Sequence, residues 1–183
     1  MALFKTDIEK YKRYSRNKST IILLLTTQGL WALFVYRVSN CIYRSKLPKF
    51  IKKTLLVFAI IWQKWIEIIT GISLPYAASI GSGFYIGHFG NIIINVSAVI
   101  GNNCNISQGV TIGVSGKSAN RGVPIIGNNV YIGANSVVAG KIMVGDNVVI
   151  GANTFVNKDV ESNVTVLGVP AKKISDNTSV DYI

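Results

Sequence analysis

His88 is the only histidine in the 183-residue chain, and it lies in the apolar, glycine-containing segment Ile86-Gly-His-Phe-Gly-Asn-Ile-Ile-Ile-Asn95. A neutral imidazole within about 3 Å of a hydroxyl group can take its proton as the oxygen attacks a carbonyl carbon. A lone histidine is also commonly a structural residue whose hydrogen bonds the fold satisfies. The residue type alone leaves both hypotheses open, so the surrounding sequence has to be considered.

The sequence around His88 has a period of six. An α-helix cannot use this period, because 100° per residue turns successive aliphatic side chains to different faces. A parallel β-helix can, because each six-residue unit supplies one short strand and one corner, and three units close one coil. The aliphatic residues at this spacing are Leu74, Ile80, Ile86 and Ile92, then Ile94, Ile100, Ile106 and Ile112, then Ile126, Ile132, Val138, Val144, Ile150 and Val156. The sequence therefore predicts a mostly β fold of about four to five coils.

An all-β sandwich is the competing fold, and it requires alternation at period two together with hairpin turns. The period of six breaks at two places. The block that contains His88 is offset by two residues from the next block, and Ile112 and Ile126 are separated by two units plus two residues. The second break predicts a loop over residues 113–125, which is either a binding loop on a rigid scaffold or an inert insertion.

The positive charge of the chain is concentrated in its N-terminal part. Residues 1–72 hold 13 Lys and Arg against three carboxylates, a net charge of +10, whereas residues 73–183 have a net charge of +1. Large apolar residues accompany these charges in the segments 21–36 and 55–69. This combination favours an anionic membrane surface over nucleic acid as a partner.

Both apolar segments are interrupted by polar residues, and each is short for a helix that spans a membrane. We therefore expect helices that lie on a membrane surface, or a helical subdomain buried in an oligomer. No signal peptide is recognisable, and Cys41 and Cys104 lack metal-type spacing. The expected location is cytoplasmic, with peripheral attachment to the inner face of the cell membrane, and no metal site is expected.

Three regions follow from these patterns. Residues 1–72 are predicted to form a basic, hydrophobic helical region, residues 73–175 the β-helix with its loop, and residues 176–183 a flexible polar tail.

Several motifs carry a family resemblance. They are His88-Phe-Gly90, Asn105-Ile-Ser-Gln-Gly-Val-Thr-Ile-Gly113, Ile126-Gly-Asn-Asn-Val-Tyr-Ile-Gly-Ala134 and Gly168-Val-Pro-Ala-Lys172. In this order and spacing the chain resembles the serine acetyltransferase branch of the hexapeptide-repeat acyltransferases over about residues 72–175. The resemblance implies a left-handed parallel β-helix, acetyl-CoA as the donor, and a homotrimer, or a dimer of trimers, with active sites between neighbouring subunits.

His88 falls on the position of the family's catalytic base. In serine acetyltransferases a carboxylate fifteen residues earlier orients the imidazole, and here that position is Ser73. The family's Arg-His-Pro loop motif is replaced by Arg121-Gly-Val-Pro124. A backbone carbonyl can orient the ring instead, so the lost carboxylate does not imply a loss of activity. The two departures concern binding of the acceptor more than binding of the donor.

The remaining site residues are assigned through the same resemblance. Small residues allow pantetheine to approach the backbone, and two lysines near the C-terminus suit the phosphates of CoA. The predicted donor-binding residues are Gly113, Ser115, Gly133, Ala134, Lys172 and Lys173, and the predicted acceptor-binding residues are Arg121 and Asn95. Alternatively, the small residues only form the corners of the coils, and the two lysines belong to a solvated tail.

The departures at Ser73 and in the loop favour a sugar hydroxyl of a surface polysaccharide, or of its lipid-linked precursor, as the acceptor. L-serine is the alternative acceptor, and a nucleotide-sugar amine is a third. A non-catalytic membrane-associated scaffold is a rival of another class. A γ-type carbonic anhydrase is excluded because it needs three histidines for zinc.

Overall fold

The computed structural model describes residues 2–16 and 18–183, in which an α-helical region precedes a parallel β-helix. The helices are α1 (Ala2–Tyr14), α2 (Thr20–Thr26), α3 (Gln28–Arg44) and α4 (Lys49–Thr70). The strands are β1 (Ile72–Ser73), β2 (Ser79–Ile80), β3 (Tyr85–Ile86), β4 (Ile92–Ile94), β5 (Val99–Ile100), β6 (Asn105–Ile106), β7 (Thr111–Gly113), β8 (Ile125–Ile126), β9 (Tyr131–Ile132), β10 (Val137–Ala139), β11 (Met143–Val144), β12 (Val149–Ile150), β13 (Phe155–Val156), β14 (Thr165–Leu167) and β15 (Lys172–Ser175).

The strands form the three faces of a prism. Sheet A has the order β1-β4-β7-β10-β13, sheet B the order β2-β5-β8-β11, and sheet C the order β3-β6-β9-β12-β14-β15. All pairs are parallel except β14 and β15. Each coil therefore visits A, B and C in turn, and four complete coils are followed by a fifth that ends in the antiparallel strand β15.

The aliphatic residues of the period-six pattern fill the inside of the prism. Their side chains are each exposed by 5% or less, from Leu74 in the first coil to Val156 in the last. Burial of this column removes apolar surface from water at about 25 cal/mol per Å². The predicted β-helix and its core positions are confirmed.

The corner between sheets B and C is held by two columns of residues that bond from coil to coil. A Cβ on Gly81 would lie 2.5 Å from the carbonyl oxygen of Gly101, so this corner has no room for a side chain. Beside the glycines, asparagines with left-handed φ donate side-chain amides to one another at 2.8–2.9 Å; they are Asn103, Asn129, Asn147 and Asn163. The asparagines thus link each coil to the next at this corner.

The first coil has no preceding coil to pair with, and side chains of α1 and α3 take that place. The Tyr11 hydroxyl donates to the carbonyl of Ile86 and accepts from its N–H, each at 3.0 Å. The Tyr36 hydroxyl accepts from the N–H of Ile80 at 3.0 Å and donates to the carbonyl of Ala78 at 2.8 Å. The helical region therefore completes the hydrogen bonding of the prism at its open end.

A buried ion pair belongs to the same cap. Arg37 donates to both carboxylate oxygens of Asp7, at 2.8 and 3.0 Å, and to the carbonyls of Ile80 and Gly81. Asp7 also accepts from the N–H of Phe84 at 2.9 Å. Burial raises the pKa of Asp7 above its usual range, and the guanidinium of Arg37 opposes that shift. The pair is compensated because the first coil supplies its remaining hydrogen bonds.

The helical region differs from the expectation at two places. Helix α4 ends at Thr70, where Gly71 adopts a left-handed φ of 65°, and the prism already begins at Ile72. The first apolar segment is not one helix, because α2 and α3 meet at 94°. By length and composition, no single helix among the described residues could cross a membrane, and only the bent pair α2 and α3 meets these criteria jointly.

The tail, expected to be flexible, is instead docked on the prism. A short 3-10 helix, Ser179–Tyr182, places the Tyr182 ring 4.7 Å from that of Tyr131. The Tyr182 carbonyl accepts from Tyr14 at 3.0 Å and from the side-chain amide of Asn105 at 2.5 Å. The polar composition suggested a solvated segment, but these partners satisfy its backbone and bury Ser179.

Removal of one capping hydroxyl tests the role of the cap. In Tyr11→Phe the N–H and carbonyl of Ile86, a residue that is 2% exposed, lose their partner. Because unpaired buried backbone groups cost about 1–3 kcal/mol, we expect a loss of that size in the free energy of unfolding, measured by chemical denaturation. Tyr43→Phe, at an exposed tyrosine, is the matched control and should change it by less than about 0.5 kcal/mol. Equal effects of the two variants would contradict the capping role.

Lys10 gives the cap a pH signature. Its fully buried ammonium donates to Asn103 at 2.7 Å, and burial lowers its pKa from 10.5 to about 8. Between these pH values the unfolded chain holds more protons than the native one, so this group makes the free energy of unfolding rise with pH. The free energy of unfolding of the wild type, taken relative to that of Lys10→Met, should therefore rise by up to about 3 kcal/mol across this pH range.

Chemical denaturation at stepwise pH measures the difference, with exposed Lys5→Met as the control. A difference that stays constant or falls between pH 8 and 10.5 would contradict the buried ammonium.

Candidate active site

His88 lies on a corner that is longer than its equivalents in the other coils. The core residues that flank it, Ile86 and Ile94, are eight positions apart, whereas Ile106 and Ile112 in the next coil are six apart. This lengthening explains the offset of two residues between the first two blocks of the sequence pattern. The extra residues carry His88 outward from the prism, and its side chain is exposed.

Backbone hydrogen bonds hold both ends of this corner. The N–H of Gly87 donates to the carbonyl of Ile106 at 2.9 Å, and the N–H of Gly109 donates to the carbonyl of Gly90 at 3.0 Å. Gly90 has a φ of 102°, a conformation that suits glycine, and no atom lies within 4 Å of the position its Cβ would take. The imidazole is therefore presented to solvent from a fixed turn with open space beside it.

Ser73, at the position of the family's orienting carboxylate, is half-buried in β1 and pairs with Ile93 in sheet A. No hydrogen bond joins Ser73 to the His88 ring in the described part of the chain. A hydroxyl also cannot supply the negative charge of a carboxylate. The structure thus contains no carboxylate–histidine dyad at this position among residues 2–16 and 18–183.

All the predicted site residues except Lys172 and Lys173 lie along two opposite edges of sheet A. The edge at which the chain enters sheet A from sheet C carries His88, Gly133 and Ala134. The edge at which the chain leaves sheet A toward sheet B carries Asn95, Gly113, Ser115 and Arg121. Strands rise about 3.3 Å per residue, so the three residues of β4 alone separate these edges by roughly 10 Å. One chain therefore divides these residues into two groups rather than one site, and Lys172 and Lys173 on β15 of sheet C form a third group.

The loop at the second edge leaves the prism after β7, which ends at Gly113, and returns to it at Ile125, where β8 begins. Its base is closed by two hydrogen bonds between the backbones of Ser115 and Gly122, at 3.1 and 3.0 Å. Its tip is the 3-10 helix Ser118–Asn120, and Arg121 follows with its guanidinium exposed. The loop thus offers two exposed cations, Lys117 before the 3-10 helix and Arg121 directly after it.

Packing between coils requires a glycine at Gly133 but not at Gly113. A Cβ on Gly133 would lie 2.6 Å from the backbone nitrogen of Ala152, so coil stacking requires this glycine. A Cβ on Gly113 would meet only the Thr111 side chain, at an ordinary 3.6 Å. Packing therefore accounts for Gly133 but leaves the absent side chain of Gly113 unexplained by the fold.

The two lysines proposed for the CoA phosphates lie on β15, at the edge of sheet C, and both are exposed. Lys173 Nζ lies 2.6 Å from Asp176 Oδ1, and this hydrogen bond raises the pKa of Lys173. Lys172 forms no ion pair within the described residues. Of the two, Lys172 is the cation whose charge is not already compensated by a carboxylate.

Gln108 was not singled out by the sequence analysis, although it belongs to the quoted segment Asn105-Ile-Ser-Gln-Gly. It occupies the position in the second coil that corresponds to His88 in the first, because the N–H of Gly87 pairs with Ile106. Its side-chain oxygen is buried and has no hydrogen-bond partner among the described residues. Coils in register lie about 4.8 Å apart, which places this amide beside the histidine corner.

Comparison with known proteins identifies the family. Residues 124–158 match the family of the bacterial transferase hexapeptide (six repeats). The serine acetyltransferase of Synechococcus elongatus is 34% identical over 164 residues, which are 90% of this chain and 64% of that protein. That of Helicobacter pylori is 36% identical over 161 residues, 88% of each chain. The chain thus spans less than two thirds of the length of the Synechococcus relative.

Solved structures agree with the sequence comparison. The serine acetyltransferase from Brucella abortus in complex with coenzyme A superimposes with a TM-score of 0.83 at 30% identity, over 96% of this chain and 68% of that one. The fold and its repeats place the chain in the hexapeptide-repeat acyltransferase superfamily, with the predicted left-handed β-helix. Within that superfamily, the chain belongs to the serine acetyltransferase-like branch.

Alanine at the two glycines separates the demands of the fold from those of a ligand. Gly133→Ala forces a Cβ against the backbone of the next coil, and we expect it to lower the free energy of unfolding by about 1–3 kcal/mol. Gly113→Ala should change that energy by no more than about 0.5 kcal/mol, because its Cβ makes only an ordinary contact. Urea denaturation of both variants measures this, and similar losses would contradict the assignment.

Proposed function

We propose that the chain is an acetyl-CoA-dependent O-acetyltransferase that transfers the acetyl group to the hydroxyl of L-serine, with His88 as general base. The observation that carries the proposal is the exposed His88 on its lengthened, anchored corner, in a chain of the serine acetyltransferase-like branch. The polysaccharide acceptor expected from the sequence is not supported, because the relatives are serine acetyltransferases.

The reaction requires one group that moves a proton in both directions. The neutral His88 imidazole takes the proton of the acceptor hydroxyl as its oxygen attacks the thioester carbonyl. The tetrahedral intermediate then collapses, the carbon–sulfur bond breaks, and the imidazolium returns the proton to the thiolate of CoA. The products are the acetyl ester and CoA with a free thiol, and no covalent enzyme intermediate is needed.

Gly113 and Lys172 are the residues best suited to the donor. The absent side chain of Gly113 leaves its backbone open to a close approach, which is what a narrow pantetheine groove needs. The uncompensated ammonium of Lys172 suits a phosphate group. The Brucella relative solved with coenzyme A supports a donor of this kind.

The complete site is proposed to form between two copies of the chain. His88 and Arg121 lie on opposite edges of sheet A, so a neighbouring prism would bring its loop edge to the histidine edge of the first. Closed cyclic assemblies repeat such a contact around a ring, in agreement with the expected homotrimer. Arg121 would then pair with the carboxylate of serine, and Asn95 would supply a neutral polar group beside it.

Release of free thiol from acetyl-CoA tests the proposal directly. With L-serine present, the wild type should release thiol, and His88→Ala should be slower by about 10²- to 10⁴-fold, the usual contribution of a general base. His88 is exposed, so the variant should keep the unfolding transition of the wild type.

Sugars and lipid-linked glycans, offered separately, serve as the second arm of the experiment. Thiol release with a glycan but not with serine would contradict serine as the acceptor and restore the polysaccharide hypothesis. Absence of acetyl-CoA binding under all conditions would contradict the enzyme assignment and favour a scaffold.

A further inference from the structure

Helix α4 carries many exposed apolar side chains on the part of its surface that is not packed on α3, and Lys53, Thr54 and Lys64 are exposed among them. Eight of the apolar residues, here called the apolar strip, have exposed fractions between 47% and 83%; they are Phe50, Ile51, Val57, Phe58, Ile61, Trp65, Ile68 and Ile69. At 1.5 Å per residue the strip is about 28 Å long. Soluble monomers rarely expose apolar patches of this extent, so the strip is an interaction surface.

Helix α2 extends the apolar character next to α4. Leu24 of α2 and Trp62 of α4 line the same groove, which has a volume of about 440 Å³. Ile21 and Leu25 on α2 are each 70% exposed. The exposed apolar surface therefore involves two helices of the same region rather than one isolated side chain.

A cluster of cations lies at the N-terminal end of the strip. Lys49, Lys52 and Lys53 line a groove of about 330 Å³ together with apolar side chains that include Val57. None of the three lysines forms an ion pair within residues 2–16 and 18–183. The cluster thus keeps its positive charge directly beside the apolar strip.

Few carboxylates in the region can neutralise these lysines. Residues 1–72 contain three, of which Asp7 pairs with Arg37 and Glu67 pairs with Lys64. Contact between two copies through this surface would bring together regions that each carry a net charge of +10. Like charges oppose that contact, whereas an anionic bilayer offers both an apolar interior and negative phosphates.

We infer that the apolar strip and the lysine cluster dock the protein on the surface of an anionic lipid bilayer. The strip enters the boundary between headgroups and acyl chains, Trp65 lies at that boundary, and the three ammonium groups contact lipid phosphates. The opposite side of α4 stays packed on the rest of the helical region, with Ala59 buried and Ile66 against the hydrophobic core. This attachment is independent of the transfer reaction, since it uses no residue of the proposed active site.

Flotation with lipid vesicles tests this inference on the full chain. The protein should float with vesicles of phosphatidylcholine mixed with phosphatidylglycerol, and high salt should weaken its binding. Changing Lys49, Lys52 and Lys53 to Gln should lower partitioning about a hundredfold, because each cation near the surface contributes roughly a factor of five. Changing Phe50, Trp65 and Ile68 to Gln should lower it at least about tenfold.

Two matched variants control for non-specific hydrophobic adsorption and for the change in net charge. Changing Lys117, Lys141 and Lys158 to Gln removes three exposed cations of the prism, and changing Met143 and Val169 to Gln removes two exposed apolar residues elsewhere. Both controls should keep binding within about twofold of the wild type.

Three results would overturn the inference. One is absence of binding to the anionic vesicles, and another is equal binding to vesicles of phosphatidylcholine alone. The third is that the strip variant leaves flotation unchanged but alters the mass of the assembly in light scattering, which would make the strip a contact between copies. All three readouts are independent of acetyl transfer, so they also distinguish this inference from the proposed function.

Discussion

The first coil of the prism has to find hydrogen bonds without a preceding coil, and the arrangement of the N-terminal region follows from that need. The later coils pair their backbone N–H and carbonyl groups with the coil before them. Unpaired groups at this end would be costly if buried, and an exposed unpaired strand would promote aggregation. Helices α1 and α3 resolve this by presenting polar side chains, in particular Tyr11, Tyr36, Asp7 and Arg37. The helical region is therefore part of the prism's structure.

The cap also reaches the candidate active site. Tyr11 holds both backbone groups of Ile86, and His88 follows two residues later on the lengthened corner. The far end of that corner is held by the hydrogen bond from Gly109 to Gly90. A general base must be placed within a few tenths of an ångström of its proton donor, and these contacts restrict the corner that carries it. The stability of the cap and the placement of the imidazole thus depend on the same residues.

The periodic parts of the structure could be predicted from the sequence, and the non-periodic parts could not. Repeats from Leu74 to Val156 indicate the coils because each aliphatic residue reports the same local geometry, and the break after Ile112 indicates the loop. The cap was not predictable, since Asp7 and Arg37 are 30 residues apart and resemble ordinary surface charges. The docked tail was missed for a similar reason, because its polar residues find partners only in the folded prism. His88 was identified from its motif, but the division of the site between two edges of sheet A required the sheet order.

In the proposed enzyme, His88 of one copy and the Arg121 loop of another form one acetyl-transfer site. Complementation between two inactive variants tests it: His88→Ala and Arg121→Ala chains are denatured together, refolded as a mixture and assayed for thiol release from acetyl-CoA with L-serine. If the site lies between copies, mixed assemblies contain interfaces with both intact residues, and about one quarter of the wild-type activity should return. Activity that stays at the level of the separate variants, in mixtures shown to contain both chains, would contradict a shared site.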